Sequence, residues 1–282
     1  MTVLLDSAGR MIYREHFPLP PLAAFVNRFW YCENAVPAHS LERVMPSGAA
    51  AIVFALANDW LSQVSGPAST AIERGAPAVL VGARSQYETI VTADLARLAG
   101  IHFRPGGCRA FFSLPASEFG EVDLPLESLW GAFARDLRCR LMHAPSPEAI
   151  FSLLESALLP RLQVPGESDL LRQGVEVLQR AASAPAITQL AEDLGLTPKR
   201  LHRLFLDHVG LGPKRFFRIR RFRAALHLAS LGKSVPWADI ALQCGYYDQA
   251  HFINDFQAFS GVNPTTYFAS RGPWIGHLAV SS

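Results

Sequence analysis

The sequence predicts an α+β N-terminal domain followed by an all-α C-terminal domain, in which two helix-turn-helix units are joined by a linking helix. Three observations carry this. Residues 190–217 and 240–268 repeat one plan: a short helix, a glycine turn, a second helix, then a glycine and a proline. Nine basic residues and a single acid, Asp207, fall in the window from Lys199 to Arg223, which runs from the second helix of the first copy into the helix between the copies. Before residue 125 the chain shows short apolar runs ended by turn residues instead of helical periodicity. With 282 residues the chain is comfortable as two domains, 1–165 and 166–282. Half of the residues are hydrophobic and 18% are charged, which fits a globular protein and excludes a disordered one.

In the N-terminal part, "PPLAAFVNRFWYC" reads as a short helix, Leu22 to Arg28, running into a strand. "LERVMPSGAAAIVFAL" (41–56) reads as a turn at Pro46-Ser47-Gly48 before a buried strand. "APAVLVGAR" and "LARLAGIHFRPGG" read as further strands. The "RPGG" run (104–107) is a tight glycine turn, or an anion cradle completed by Arg104. His102 reads as a strand end before a metal ligand, and Trp30, Tyr31, Trp60 and Phe103 as core before pocket lining. From residue 124 the pattern turns helical, with Leu126, Leu129, Phe133, Leu137 and Leu141 on one face. Ser146 opens a second amphipathic helix carrying Ile150, Leu153, Leu154 and Leu158. That helical pair can pack on its own sheet or against its copy in a dimer. "QVPGES" (163–168) reads as the linker, with Ser168 capping the next helix.

In the C-terminal part, Thr188 is the expected N-cap of the first helix of the first unit, with Leu190, Ala191 and Leu194 as its stripe. Gly195 ends that helix, and Thr197 caps the next with Pro198 at its first position, where a missing N–H costs nothing. On this second helix Leu201, Leu204, Phe205 and His208 face inward, so Lys199 and Arg203 point away with Arg200 and His202 at the flanks. The second unit follows suit, offset by 50 and then 51 residues. Trp237, Ile240 and Ala241 form its first stripe, Gly245 the turn, Asp248 the cap, and Phe252, Phe256 and Phe259 the inner face of its second helix. Gln249, Ala250, His251 and Asn254 lie outside that inner face. Between the units a helix runs from about Pro213 to Gly232.

A helix pair with a glycine turn is also a common core motif, and a basic cluster is also a solvated face. Two such units at matching positions around a basic helix point instead to a polyanion, DNA. Arginine can pair bidentately with guanine, glutamine and asparagine with adenine, and alanine can meet a thymine methyl.

Residues 170–270 resemble the DNA-binding domain of the AraC/XylS family of bacterial transcription regulators. The resemblance rests on "IALQCGYYDQAHFINDFQAFSGVNPTTYF" and on "LAEDLGLTPKRLHRLF" with the "GPKRFFRIRRFRAAL" that follows it. It implies seven helices with two helix-turn-helix units, and promoter recognition by helices at about 197–208 and 248–259. Carried over by position, the base-reading residues are Lys199, His202, Arg203, Gln249, Ala250 and Asn254. The phosphate-binding residues expected around them are Arg200, Lys214, Arg215, Arg218, Arg221 and His251. The sequence departs from the family at Asn254, where relatives with this signature often carry arginine. "MPSGAAAIVF", "GIHFRPGGCRAFFSLPASEF" and "LPLESLWG" are similar to the N-terminal domain of a group of AraC-type regulators, which implies a sensing or dimerising role.

These readings make double-stranded promoter DNA the expected partner, with RNA polymerase, a small-molecule effector and a second copy of the chain as further candidates. A DNA-repair enzyme with an AraC-like domain is the alternative, but Cys32, Cys108, Cys139 and Cys244 lie too far apart in sequence for its zinc pocket. A protein-interaction module with basic helices is the other. No enzyme motif, metal or cofactor is expected. The reading is cytoplasmic, with no signal peptide and no apolar run near the roughly 20 residues of a membrane span.

Overall fold

The computed structural model describes residues 12–33, 39–64, 71–181, 186–231, 236–272 and 274–280. Among the described residues the N-terminal domain holds ten strands: β1 Ile12–His16, β2 Val26–Glu33, β3 Leu41–Val44, β4 Ala51–Ala55, β5 Ser62–Val64, β6 Ile72–Arg74, β7 Ala78–Val81, β8 Glu88–Val91, β9 Arg97–Phe103 and β10 Asp123–Pro125. Three helices follow: α1 Leu126–Trp130, α2 Ala132–Met142 and α3 Pro147–Leu158. Six strands form one antiparallel sheet in the order β1-β2-β9-β4-β7-β10.

Alternation along these strands gives the sheet two different faces. Phe29, Tyr31, Ile52, Phe54, Leu80, Ala99 and Ile101 project to one side and join Leu126, Leu137, Leu141, Ile150, Leu154 and Leu158 of the helices in a single core. The apolar faces of α1–α3 are therefore spent on their own sheet. The other face carries Arg28, Trp30, Gly100 and His102 on β2 and β9, with Arg28 opposite His102 and Trp30 opposite Gly100.

Among the described residues the second domain holds seven helices: α4 Ser168–Arg180, α5 Ile187–Asp193, α6 Pro198–Val209, α7 Pro213–Leu231, α8 Trp237–Gln243, α9 Gln249–Ser260 and α10 Pro264–Ser270. A last strand, β11 His277–Ala279, returns to the N-terminal domain and pairs with β3 in a sheet ordered β11-β3-β8-β5-β6. The two domains thus share a sheet. They also share a core, because Met45 and Ala83 pack with the helices of the C-terminal domain.

Four local expectations are corrected. Leu22–Ala24 is a single 3-10 turn, and the strand begins at Val26, a β-branched residue fully buried in the sheet. α5 starts before Thr188, which places Ile187 against the core, so Thr188 is helical and not its cap. Ser168 is the first residue of α4, because its N–H already closes a turn onto the carbonyl of Pro165 at 3.1 Å. The helical stretch after residue 125 is broken into α1 and α2 at Gly131. The "RPGG" run is a turn in which Arg104 Nε donates to the carbonyl of Ala23 at 2.7 Å, so that side chain serves the fold. The expected end of the linking helix, Gly232, lies outside the described residues.

Leu278 is buried on β11, and Gly276 N–H donates to the Tyr267 hydroxyl at 2.9 Å. Leu278→Ala is expected to cost about 2–4 kcal/mol. Because the strand joins both domains, thermal unfolding monitored separately in each should shift together.

Candidate nucleic-acid interface

The repeat seen in the sequence is a repeat of structure. α5 and α8 each have seven residues, and α6 and α9 each have twelve. The intervening turns pass through Gly195 and Gly245, both left-handed (φ +66° and +71°), a conformation that costs glycine no Cβ clash. Thr197 accepts the N–H of Arg200 at 3.2 Å, and Asp248 accepts the N–H of His251 at 2.7 Å. Each cap satisfies a donor at the start of its helix and fixes where the helix begins.

Both helices bury the stripe expected of them. Leu201, Leu204, Phe205 and His208 are buried on α6, and Phe252, Phe256 and Phe259 on α9. The opposite faces are open. Lys199, His202 and Arg203 are exposed on α6, and Gln249, Ala250 and Asn254 on α9. Arg203 Nε lies 3.3 Å from Asp207 one turn on, an exposed pair weak enough to exchange for another acceptor. The His202 ring rests over Gly212, where a Cβ would lie 2.8 Å from Nε2. Tyr247, not singled out from the sequence, is 91% exposed beside the Asp248 cap.

α7 packs against both units, burying Phe216, Phe217, Ile219, Phe222, Ala225 and Leu226. Its cations divide into three groups. Lys214 and Arg215 are exposed. Arg218 and Arg221 turn to α9, where Asp255 is buried between them. Arg218 Nη2 lies 2.6 Å and Arg221 Nη2 3.3 Å from its carboxylate. Arg221 also donates to the carbonyl of Gly245 at 2.9 Å and lies 4.2 Å over the Tyr246 ring. It is only 7% exposed, which corrects its expected phosphate role: both of its terminal nitrogens are engaged inside the domain. Arg218 keeps a partly exposed side chain, and the hydrogen bond to Asp255 raises its pKa. The third group, Arg220 and Arg223, is partly exposed, and Arg223 feels the charge of Arg28 on β2.

Among the remaining expected phosphate ligands, His251 is exposed and Arg200 is exposed but paired with Glu167. Asp255 is the residue that sequence reasoning missed. Its position gave a signal, since it falls on the Phe252–Phe256–Phe259 side of α9, where an acid is buried and needs partners.

The geometry defines a double helix-turn-helix domain. Residues 190–270 match the family model of a helix-turn-helix domain, and residues 14–125 match that of a domain of unknown function, DUF6597. A Haemophilus influenzae protein described as an uncharacterized HTH-type transcriptional regulator is 30% identical over 116 residues, 41% of this chain and 38% of that protein. The match thus spans well under half the length of that relative. A transcriptional regulator from Chromobacterium violaceum with an AraC-type DNA-binding domain is similar over 38% of this chain and 96% of its own, at 23% identity and a TM-score of 0.35. The C-terminal domain of AraT, a response regulator from Geobacillus stearothermophilus, is similar over 38% of this chain and 89% of its own, at 25% identity and a TM-score of 0.36. Over residues 190–270 the chain thus carries a helix-turn-helix domain.

Asp255→Ala would strand two cations, one of them buried. It is expected to cost about 3–5 kcal/mol in chemical denaturation, while Asp239→Ala, exposed on α8, should change stability by less than about 0.5 kcal/mol.

Proposed function

We propose that this protein is a sequence-specific DNA-binding transcription regulator that reads promoter DNA with α6 and α9 and works by binding, not catalysis. The observation that carries the reading is the pair of equal, equally capped twelve-residue helices, both with open polar faces and both held by one linking helix. One chain then offers two readers to successive major grooves, which recur about every 34 Å along the duplex. Lys199, His202 and Arg203 address bases from α6, and Gln249, Ala250 and Asn254 from α9. Lys214 and Arg215 hold phosphates, which sets position without reading sequence. The N-terminal domain is the controlling part: it senses a small molecule and alters how the readers are presented. RNA polymerase and a second copy of the chain are its further partners at a promoter.

Fluorescence anisotropy on DNA upstream of the protein's own gene, beside scrambled DNA and across a salt series, tests this. A preference of about 10³-fold or more for one segment is expected. Equal, steeply salt-dependent binding to all DNA would reduce the interface to phosphate contact. Arg203→Ala should weaken the preferred site by about 1–3 kcal/mol and relax its sequence preference. Lys214→Ala should instead weaken all sequences alike and lower the salt slope by about 1.

A further inference from the structure

The second helix-turn-helix unit differs from the first by one residue in its turn. Leu196 N–H donates to the carbonyl of Ala191 at 2.8 Å, and Tyr246 N–H to that of Ala241 at 3.0 Å, so these two residues correspond. Both pack on the core of the domain. In the first unit the cap, Thr197, follows directly. In the second, Tyr247 stands between Tyr246 and the cap, Asp248. Tyr247 has no counterpart in the first unit, and at 91% exposure it contributes nothing to packing. An apolar ring with a polar tip, held in water at the start of α9, is suited to a contact made with a partner.

The second unit is also without a lysine or arginine of its own. Between Lys233 and Arg271 the sequence holds neither, whereas the first unit carries Lys199, Arg200 and Arg203 on α6 alone. Arg218 and Arg221, which reach the second unit from α7, are engaged by Asp255. Arg271 lies 3.5 Å over the ring of Phe268. The groups left near the start of α9 are neutral. Gln249 lines a recess of about 290 Å³ between α8, α9 and α10, together with Trp237, Ile253, Thr265 and Thr266. Both threonines are exposed. Among the described residues neither of their hydroxyls, nor that of Tyr247, has a hydrogen-bond partner.

We propose that the second unit holds the DNA backbone through neutral hydroxyl donors: Tyr247 before α9, and Thr265 and Thr266 at the recess beside Gln249. Phosphate oxygens accept from tyrosine and threonine hydroxyls as well as from cations, and such contacts fix register without reading sequence. Because the acceptor is charged, each bond is stronger than one between neutral groups. It releases no condensed counterion, since it neutralises no phosphate. The two units therefore grip by different physics. The first uses charge, which salt screens; the second uses directional hydrogen bonds, whose share of the binding grows as salt rises. Directional donors need closer placement than point charges do, and the pairing of Asp255 with Arg218 and Arg221 supplies it. This deepens the proposed reading of DNA by α9, and it rests on that reading for bringing a duplex to the helix.

The test measures binding of the full chain to two duplexes, the segment upstream of its own gene and a scrambled counterpart, across a salt series. Tyr247→Phe removes one hydroxyl and nothing else. It is expected to weaken binding to both duplexes alike, by about 3- to 10-fold, with the slope of log affinity against log salt unchanged. The double variant Thr265→Val with Thr266→Val carries the same expectation. Both variants change exposed groups, so their thermal midpoints should stay at that of the parent. Binding unchanged by Tyr247→Phe or by the double variant overturns the proposal. So does a loss accompanied by a change of slope, and so does a loss confined to one duplex, which would make the hydroxyl a base contact. A parent that prefers neither duplex, with Tyr247→Phe still weakening both, would sink the sequence-specific reading alone. A strong preference in the parent, with Tyr247→Phe silent, would sink this inference alone.

Discussion

Helix α9 is held in place by one buried carboxylate. Asp255 sits on α9 among phenylalanines and takes Arg218 and Arg221 from α7. Apolar packing alone fixes the distance between two helices better than their register, because it is non-directional. A carboxylate shared by two guanidinium groups has a direction and a single acceptable position. Arg221 extends the constraint by bonding the carbonyl of Gly245 in the turn before α9. Helix, turn and linking helix are thus tied through one charged knot. The orientation of Gln249, Ala250 and Asn254 follows from it.

The knot changes how the basic cluster is understood. Read along the chain, Lys214 to Arg223 is a single run of positive charge. In three dimensions a helix spreads such a run around its circumference, and each direction meets a different environment. Lys214 and Arg215 meet solvent, Arg218 and Arg221 meet Asp255, and Arg223 meets the charge of Arg28 on β2. Only the first pair is wholly free to neutralise phosphates. Under the proposed function, the salt dependence of DNA binding is therefore smaller than the number of cations in the run suggests.

This division marks the limit of what was legible beforehand. The caps Thr197, Asp248 and Ser146 were readable, because a capping side chain bonds a backbone N–H two or three residues on and needs no distant partner. The buried stripes of α6 and α9 were readable for the same local reason, through periodicity. Thr188 and Ser168 misled because each looked like a cap while a competing contact, the burial of Ile187 and the Pro165 turn, set the boundary. The inward turn of Arg221 could not be read from its neighbours, since it depends on an acid 34 residues away. β11 was invisible for a related reason: three residues with no pattern of their own become a strand only because β3 offers an edge.

The edge matters beyond the fold. Several contacts fasten the C-terminal domain to the N-terminal one, and they fall on both helix-turn-helix units. At the end of α6, Gly210 approaches the Ala116–Gly120 turn so closely that a Cβ would lie 2.9 Å from the carbonyl of Ala116. At the end of α9, Arg43 donates to the carbonyl of Ser260 at 3.3 Å. Between them Phe216 and Ile219 of α7 pack over Gly48, and β11 completes the sheet. Under the proposed function, a signal from the N-terminal domain need not travel along the linker of residues 162–167. It can act on both readers through packed surfaces, provided the ligand binds one arrangement of those surfaces better than another.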